Sequence, residues 1–471
     1  MSVIFWLIII AYLISSMPDI NYHLGEMYGG LIPINKSDPS RQLYHIFKPA
    51  IDGPQDEITI YLNGGPGCSS LDSFLQETGP YLWQPGTFLP VPNPYSWANI
   101  TNMLWVDQPV GTGFSIGKVT ATSEYDIAAE FVEWFKNFEL LYGITHYKIY
   151  VTGESYAGRY VPYISSAMLN KSDTEYYDLK GALVYDPCIG NYLYTQEEVV
   201  TYPFLEKNNG ILGLNASFMA NLSAAHSSCG YQNIIDTYYR FPPPGNQPPM
   251  VWNASAHPEC DVFDNAYGAL LEINPCFDIY EINQQCPLLW DVLSFPTGLM
   301  YTPEGATTYF NQTNVKEAIH APPLSVKYLI INISGPELNH DDAPDPIQSI
   351  LPQVIEATNR VLIGNGDLDM IIITQGTLLS IQNMTWHGKL GFQYEPNEPI
   401  YISMSDYQYN QTFFANGAEG IDGPQGTMGI QHYERGLMFV ETYLSGHMEP
   451  EFQPRVSLQH IKWLLGRIEK L

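Results

Sequence analysis

Gly153-Glu154-Ser155-Tyr156-Ala157-Gly158 follows an apolar, β-branched run at His146–Thr152 and precedes Tyr160–Leu169, which is spaced as an amphipathic helix. The run reads as a short buried strand. A serine among small residues, on a sharp turn from strand to helix, is the signature of a nucleophile elbow. Small residues are needed because a bulky Cβ would strike the neighbouring backbone in so tight a turn. The turn also aims the N–H after the serine outward at the helix start, where it can face a developing negative oxygen. The strict motif has glycine two residues after the serine. Here Ala157 holds that place and Gly158 comes next, so the stretch alone is a loose match.

Three further turns extend the reading. Asn63-Gly64-Gly65-Pro66-Gly67-Cys68-Ser69-Ser70 follows the strand-like Ile58–Leu62. Gly366-Asp367-Leu368-Asp369-Met370 follows Val361–Ile363, and Ser445-Gly446-His447-Met448 follows Leu437–Val440. Serine, aspartate and histidine thus occur in that order, each just past the carboxyl end of an expected strand, where open α/β sheets carry their chemistry. Further strands are expected at Met103–Asp107, Lys180–Tyr185, Arg360–Gly364 and Gly436–Tyr443. Helices are expected at Tyr125–Tyr142 and Val456–Leu471, the second with a cationic end at Lys462, Arg467 and Lys470. Strands alternating with helices imply a mostly parallel, covered sheet.

At these residues the chain resembles the serine carboxypeptidases of the α/β-hydrolase superfamily, with a flavour close to secreted fungal members. The segments that carry the resemblance are Leu62–Ser70, Trp105–Ser115, Gly153–Tyr160, Gly366–Asp369 and Gly446–Met448. It implies an α/β-hydrolase fold with an inserted, disulfide-containing cap. It implies Ser155 as nucleophile, His447 as base and Asp369, rather than Asp367, as the supporting acid. The backbone N–H groups of Gly65 and Tyr156 would form the oxyanion hole. Asn63, Gly64, Glu77, Glu154 and Met448 would bind the substrate, with Asn63, Glu77 and Glu154 gripping the free α-carboxylate of its last residue. An acid can donate a hydrogen bond to a carboxylate only while it keeps its proton, and two adjacent carboxyls cannot both ionise cheaply. Peptide binding is therefore expected to favour acid. No cofactor and no metal is expected. An acyltransferase or esterase would share the triad, and the carboxylate trio is what favours a peptidase.

Two positions depart from the family. Tyr61 stands where tryptophan is commoner. Glu449 stands where valine is usual, and is expected to be exposed and without effect.

Composition sets the setting. The 471 residues carry a formal net charge of −29, with a sequence pI near 4.5, which argues against nucleic-acid partners because phosphate contacts need clustered Lys and Arg. The apolar run Ile4–Ile14 fits a signal-peptide core but is short for a membrane span. Six cysteines (68, 188, 229, 260, 276 and 286) fit disulfides in an oxidising compartment, with the pairing open. Asn-x-Ser/Thr sequons at 35, 99, 170, 215, 221, 253, 311, 332, 383 and 410 suggest N-glycans. The chain is read as a leader at 1–16, core at 17–187, cap at 188–321 and core again at 322–471. A polar, Gly-rich surface loop is expected over Thr412–Gln431. The destination is expected to be the exterior or a vacuole-like compartment, and the substrates peptide or protein C-termini.

Overall fold

A computed structural model describes residues 11–23, 25–53, 56–248, 257–294, 303–324, 343–402 and 426–471. The apolar core of the expected leader at 4–10, the sequons at 253, 332 and 410, and most of the expected loop at 412–431 lie outside them.

Ten strands form one sheet: β1 (Tyr28–Asn35), β2 (Asp38–Lys48), β3 (Glu57–Leu62), β4 (Asn102–Asp107), β5 (Lys148–Glu154), β6 (Asp178–Tyr185), β7 (Val361–Gly366), β8 (Glu398–Ile402), β9 (Gly426–Glu434) and β10 (Leu437–Thr442). The spatial order is β1-β2-β4-β3-β5-β6-β7-β10-β9-β8. The six central strands, β4 to β10 in that order, are parallel, and two antiparallel strands are added at each edge. This is the α/β-hydrolase arrangement.

The central strands are buried on both faces, so they read as continuous apolar runs. Their side chains still alternate. Ile58, Ile60 and Leu62 enter one core with Val151, Val184 and Ile363, beneath α1 (Glu124–Tyr142) and α2 (Ala157–Lys171). Tyr61, Trp105, Leu183 and Leu362 enter the opposite core with Val456, Ile461 and Trp463 of a C-terminal helix. That helix spans Pro454–Leu464, shorter than expected. Of its expected cationic end, Lys462 sits in the last turn, whereas Arg467 and Lys470 lie beyond the helix, Arg467 pairing with Glu57 and Lys470 with Glu398. Those two cations tie the terminus to the sheet rather than to the helix dipole.

The edge strands β1, β2, β8 and β9 were not expected. β2 begins with three exposed residues, Asp38, Pro39 and Ser40, β1 carries Gly29, Gly30 and Pro33, and β9 begins at Gly426, inside the stretch expected to be loop. Residues 12–14, expected within the leader, lie on β1: Gly29 N donates to Tyr12 O and Ile14 N to Met27 O, with Ile14 buried.

Between β6 and β7 the chain leaves the sheet. Four helices, α3 (Val199–Leu212), α4 (Ala216–Ser228), α5 (Tyr231–Tyr238) and α6 (Val262–Ile273), share a third apolar cluster with Leu368, Met370 and Ile373 from the loop after β7. Disulfides Cys229–Cys260 and Cys276–Cys286 lie within this segment. Cys68 and Cys188 stand outside both disulfides, which corrects the reading of all six as bridged. Cys188 is buried at the sheet edge, its backbone against Gly158, and Cys68 belongs to the tight turn after β3. No described helix is long and apolar enough to cross a membrane.

Ile60, fully buried at the centre of β3, should lose about 2–5 kcal/mol of stability on change to Ala, the cost of a cavity in a stiff core. Tyr401→Ala on the edge strand β8, where the ring is 68% exposed, should change it by less than about 0.5 kcal/mol. Urea midpoints would compare the two.

Candidate active site

Strands β3 and β5 are neighbours, with Leu62 paired to Gly153. The chain departs from β3 toward β4 on one side and returns to β5 on the other, so the two strand ends flank a topological switch point. The turn after β5 is severe. Ser155 has φ +63°, a conformation that costs a non-glycine residue about 1–2 kcal/mol. Backbone bonds hold it there: Ser155 N donates to Tyr185 O at 2.9 Å, and Cys188 N and Gly158 N donate to Ser155 O at 3.0 and 2.8 Å. A Cβ on Gly153 would lie 2.8 Å from that of Ala157, and one on Gly158 would lie 2.5 Å from Cys188 N. The Leu62 carbonyl oxygen would lie closer still, 2.3 Å from a Cβ on Gly153, so glycine is required at 153 whatever stands at 157, and Gly158 is needed for packing.

The turn after β3 lies against the elbow. A Cβ on Gly64 would stand 2.4 Å from Tyr156 N and 2.8 Å from the Ser155 Cβ. Gly65, with φ +110°, is exposed beside it. The two expected oxyanion donors thus belong to abutting turns.

Asp369 and His447 lie at the ends of β7 and β10, which are adjacent and parallel. His447 Nδ1 is 2.8 Å from Asp369 Oδ2. Asp369 also accepts from Ile371 N at 2.8 Å and Ile372 N at 3.2 Å. Asp367 instead accepts from Ser445 N at 3.4 Å. Burial works against the His447 cation, but Asp369, then Glu154 and Asp278, outweigh it and hold the imidazole above its usual pKa. His447 Nε2 is buried and has no hydrogen-bond partner, so no bond joins it to Ser155 in this structure. Met448 is buried next to His447, and no hydrogen bond links it to the trio.

Asn63, Glu77 and Glu154 converge. Asn63 Nδ2 donates to Glu154 Oε1 at 2.7 Å. The Tyr61 hydroxyl lies 3.1 Å from both Glu77 Oε2 and Glu154 Oε2. A hydroxyl has one proton, so a second proton at this junction must come from a carboxyl. Burial first, then the Glu154 and Asp72 carboxyls, push Glu77 well above the ordinary range; burial also raises Glu154, partly offset by His447. Asn63 Oδ1 and Glu77 Oε1 are buried without partners.

Several neighbours were not anticipated from sequence. Asp186, at the end of β6, is fully buried, and its Oδ1 accepts from Asn365 Nδ2 and Gly366 N. Burial, then Asp369 and Glu449, push it far above the usual carboxylate range. An acid directly after the apolar run at the end of an expected strand was the available signal. Tyr280, from the inserted segment, accepts from His447 N through its carbonyl at 2.8 Å and sets its ring 5.0 Å from the imidazole. Glu449 is buried, not exposed as expected. Its Oε2 lies 2.6 Å from Thr442 Oγ1, and burial pushes it up to about 8. A helical turn starting directly after His447 turns it inward.

Two groups of acid or histidine atoms lie within 4.8 Å of one another among the described residues: Asp186, Asp369 and His447, and Asp72, Glu77 and Glu154. In the first group Asp369 and His447 are committed to each other.

A family model described as serine carboxypeptidase matches residues 18–467. The chain is 58% identical over 466 residues to serine-type carboxypeptidase F of Aspergillus niger, covering 98% of this chain and 87% of that protein. It is 42% identical to a probable serine carboxypeptidase of Arthroderma benhamiae, covering 97% and 86%. The solved structure of Kex1, a prohormone-processing carboxypeptidase from Saccharomyces cerevisiae, superposes with a TM-score of 0.71 at 24% identity, covering 98% of this chain and 96% of that one. The chain therefore belongs to the serine carboxypeptidase family.

Proposed function

We propose that this serine carboxypeptidase removes the last residue of peptides through an acyl-enzyme on Ser155, selects a free α-carboxylate with Asn63, Glu77 and Glu154, and works best in acid. The observation that carries the reading is the buried, proton-sharing trio beside the elbow.

His447 Nε2 takes the Ser155 proton as Oγ attacks the carbonyl carbon of the last peptide bond. Asp369 holds the imidazole through Nδ1 and stabilises its cation. The N–H groups of Gly65 and Tyr156 receive the oxyanion, each contributing about 3 kcal/mol to the barrier reduction. The C–N bond then breaks, and His447 returns its proton to the leaving amine. Water repeats the cycle on the acyl-enzyme. Asn63 and a protonated Glu77 donate to the substrate carboxylate, the Gly64 backbone borders it, and Met448 walls the terminal side chain. Acyl transfer or ester cleavage would use the same triad but would leave this trio without a task.

An acidic milieu suits the fold as well. Glu449 rises from 4.5 to about 8 on burial. The unfolded chain releases that proton above pH 4.5 while the folded chain keeps it, so each such group lowers stability as pH climbs through that window. The apolar leader, the disulfides and the sequons support a secretory or vacuole-like destination. None of the described sequon asparagines is buried, and Asn35, Asn170, Asn215 and Asn221 are exposed.

Blocked dipeptides with free C-termini should be turned over far faster than their amides, and Ser155→Ala should lower kcat by about a millionfold. Equal turnover of acid and amide would refute the carboxylate grip. As pH rises through the trio's deprotonation, KM for free-acid peptides should increase, whereas an ester lacking the carboxylate should hold its kcat/KM once His447 is neutral; parallel pH profiles would contradict this. Gly64→Ala should cut kcat by about a hundredfold or more, because the added carbon forces the two turns apart.

A further inference from the structure

Behind the triad a second carboxyl faces the first. Asp186 follows the last residue of β6, beside the end of β7 that leads into Asp369. One of its carboxyl oxygens lies within 4.8 Å of one from Asp369 and of a His447 ring nitrogen. The backbone is bent to put it there. Asp186 has φ +42°, in the left-handed region, and its N–H donates to Gly364 O at 2.8 Å. Aspartate enters that region more readily than most residues, because its short side chain bonds locally. The side chain is fully buried.

Counting donors assigns the protons. Asp369 receives three N–H groups, from His447 Nδ1, Ile371 and Ile372, which makes it the anion. Asp186 receives two, from Asn365 Nδ2 at 3.1 Å and Gly366 N at 3.0 Å, and both reach Oδ1. Asn365 Nδ2 also donates to Ile372 O at 3.0 Å, and a carbonyl can only accept, so the orientation of this amide is fixed. Asp186 Oδ2 is buried and takes no hydrogen bond from any described donor. As a carboxylate oxygen it would sit uncompensated against a second carboxylate. A proton on Oδ2 removes that charge, and the Asp369 carboxyl is within its hydrogen-bonding reach.

We infer that Asp186 is a positioning residue that keeps a proton on Oδ2 and donates it as a hydrogen bond to Asp369, holding the acid of the triad from behind. This rests on the triad proposed above. The bond disperses the negative charge of Asp369, so the His447 cation feels less of it. His447 then gives up its proton at a lower pH and remains a usable base further into acid.

The neighbours leave the cluster with one anion. Asp186 faces Asp369 from the loop after β7 and Glu449 from the turn after His447. Glu449 is pushed up to about 8 by burial and faces Asp369, Glu154 and Asp367, with His460 Nδ1 4.0 Å away. Burial lowers His460 to about 3, so it is neutral. His447 faces Asp369, Glu154 and Asp278. Asp369 is also faced by Cys188 beyond β6 and by Glu197, Tyr280 and Glu281 of the inserted segment. Burial first, then Asp369 and Glu449, favour the neutral form of Asp186.

The test follows kcat/KM against pH for an ester without a free carboxylate, so that the Glu77–Glu154 grip does not enter. The acid limb reports His447 in the free enzyme, and its position does not depend on how much of a variant is folded. Asp186→Ala removes the donor and should move the limb up by about one pH unit, roughly a tenfold loss of turnover on the acid side. Asp186→Asn keeps an N–H donor toward Asp369 and should keep the limb where wild type has it. A limb that moves down in Asp186→Asn overturns the inference, because a negative charge has then been removed. A limb unmoved in Asp186→Ala also overturns it, since packing alone would explain the residue. Infrared spectra decide the matter if Asp186→Ala does not fold. At about pH 6, where exposed carboxyls are ionised, wild type should show a protonated-carboxyl C=O band that Asp186→Asn lacks, and identical spectra refute the bound proton. If Ser155→Ala abolishes ester cleavage while the limb ignores Asp186, the triad stands and only this inference fails.

Discussion

Gly64 approaches the Ser155–Tyr156 peptide so closely that no side chain fits between them, and the site depends on that contact. The pairing of Leu62 with Gly153 sets two strand ends level, and the turns beyond them must then share one volume. Glycine at 64 admits the approach, and a positive φ at Ser155 turns its side chain out of the β5 line. The strain is local, and three backbone hydrogen bonds from two flanking segments hold it.

A second constraint is the number of carboxyls at the same sheet edge. Glu77, Glu154, Asp186, Asp369 and Glu449 are all at most 4% exposed. Their environments divide their roles. Asp369 receives two backbone N–H groups and the imidazole, a set of donors suited to an anion. Glu77 meets a tyrosine hydroxyl and another acid, an environment that calls for a proton. The same residue type thus serves as counter-ion in one place and as hydrogen-bond donor about one side chain away.

Much of this was readable before any coordinates. Apart from Thr59, Ile58–Leu62, Val361–Ile363 and Leu437–Val440 are apolar because parallel strands are covered on both faces, and that pattern is local and strong. The edge strands gave no such signal: β2 is polar where it faces solvent, and β9 starts in glycine-rich sequence. β2 is held in the sheet by a neighbour distant in the chain, since it joins β4. Glu449 misled for a related reason. A glutamate before proline reads as solvated surface, but the helical turn after His447 points it at Thr442.

The sequence by itself determined which hydroxyl, imidazole and acid were available, in what order, and that each followed a strand. Those are properties of short segments. Only the tertiary structure decided that Asp369 and His447 meet at 2.8 Å, that Asp186 and Tyr280 surround them, and that Asp72 and Glu451 come to lie on the same side of Glu77. These are relations between segments far apart in the chain, 78 positions for Asp369 and His447, created by strand order and by burial, and no local pattern encodes the distance between them.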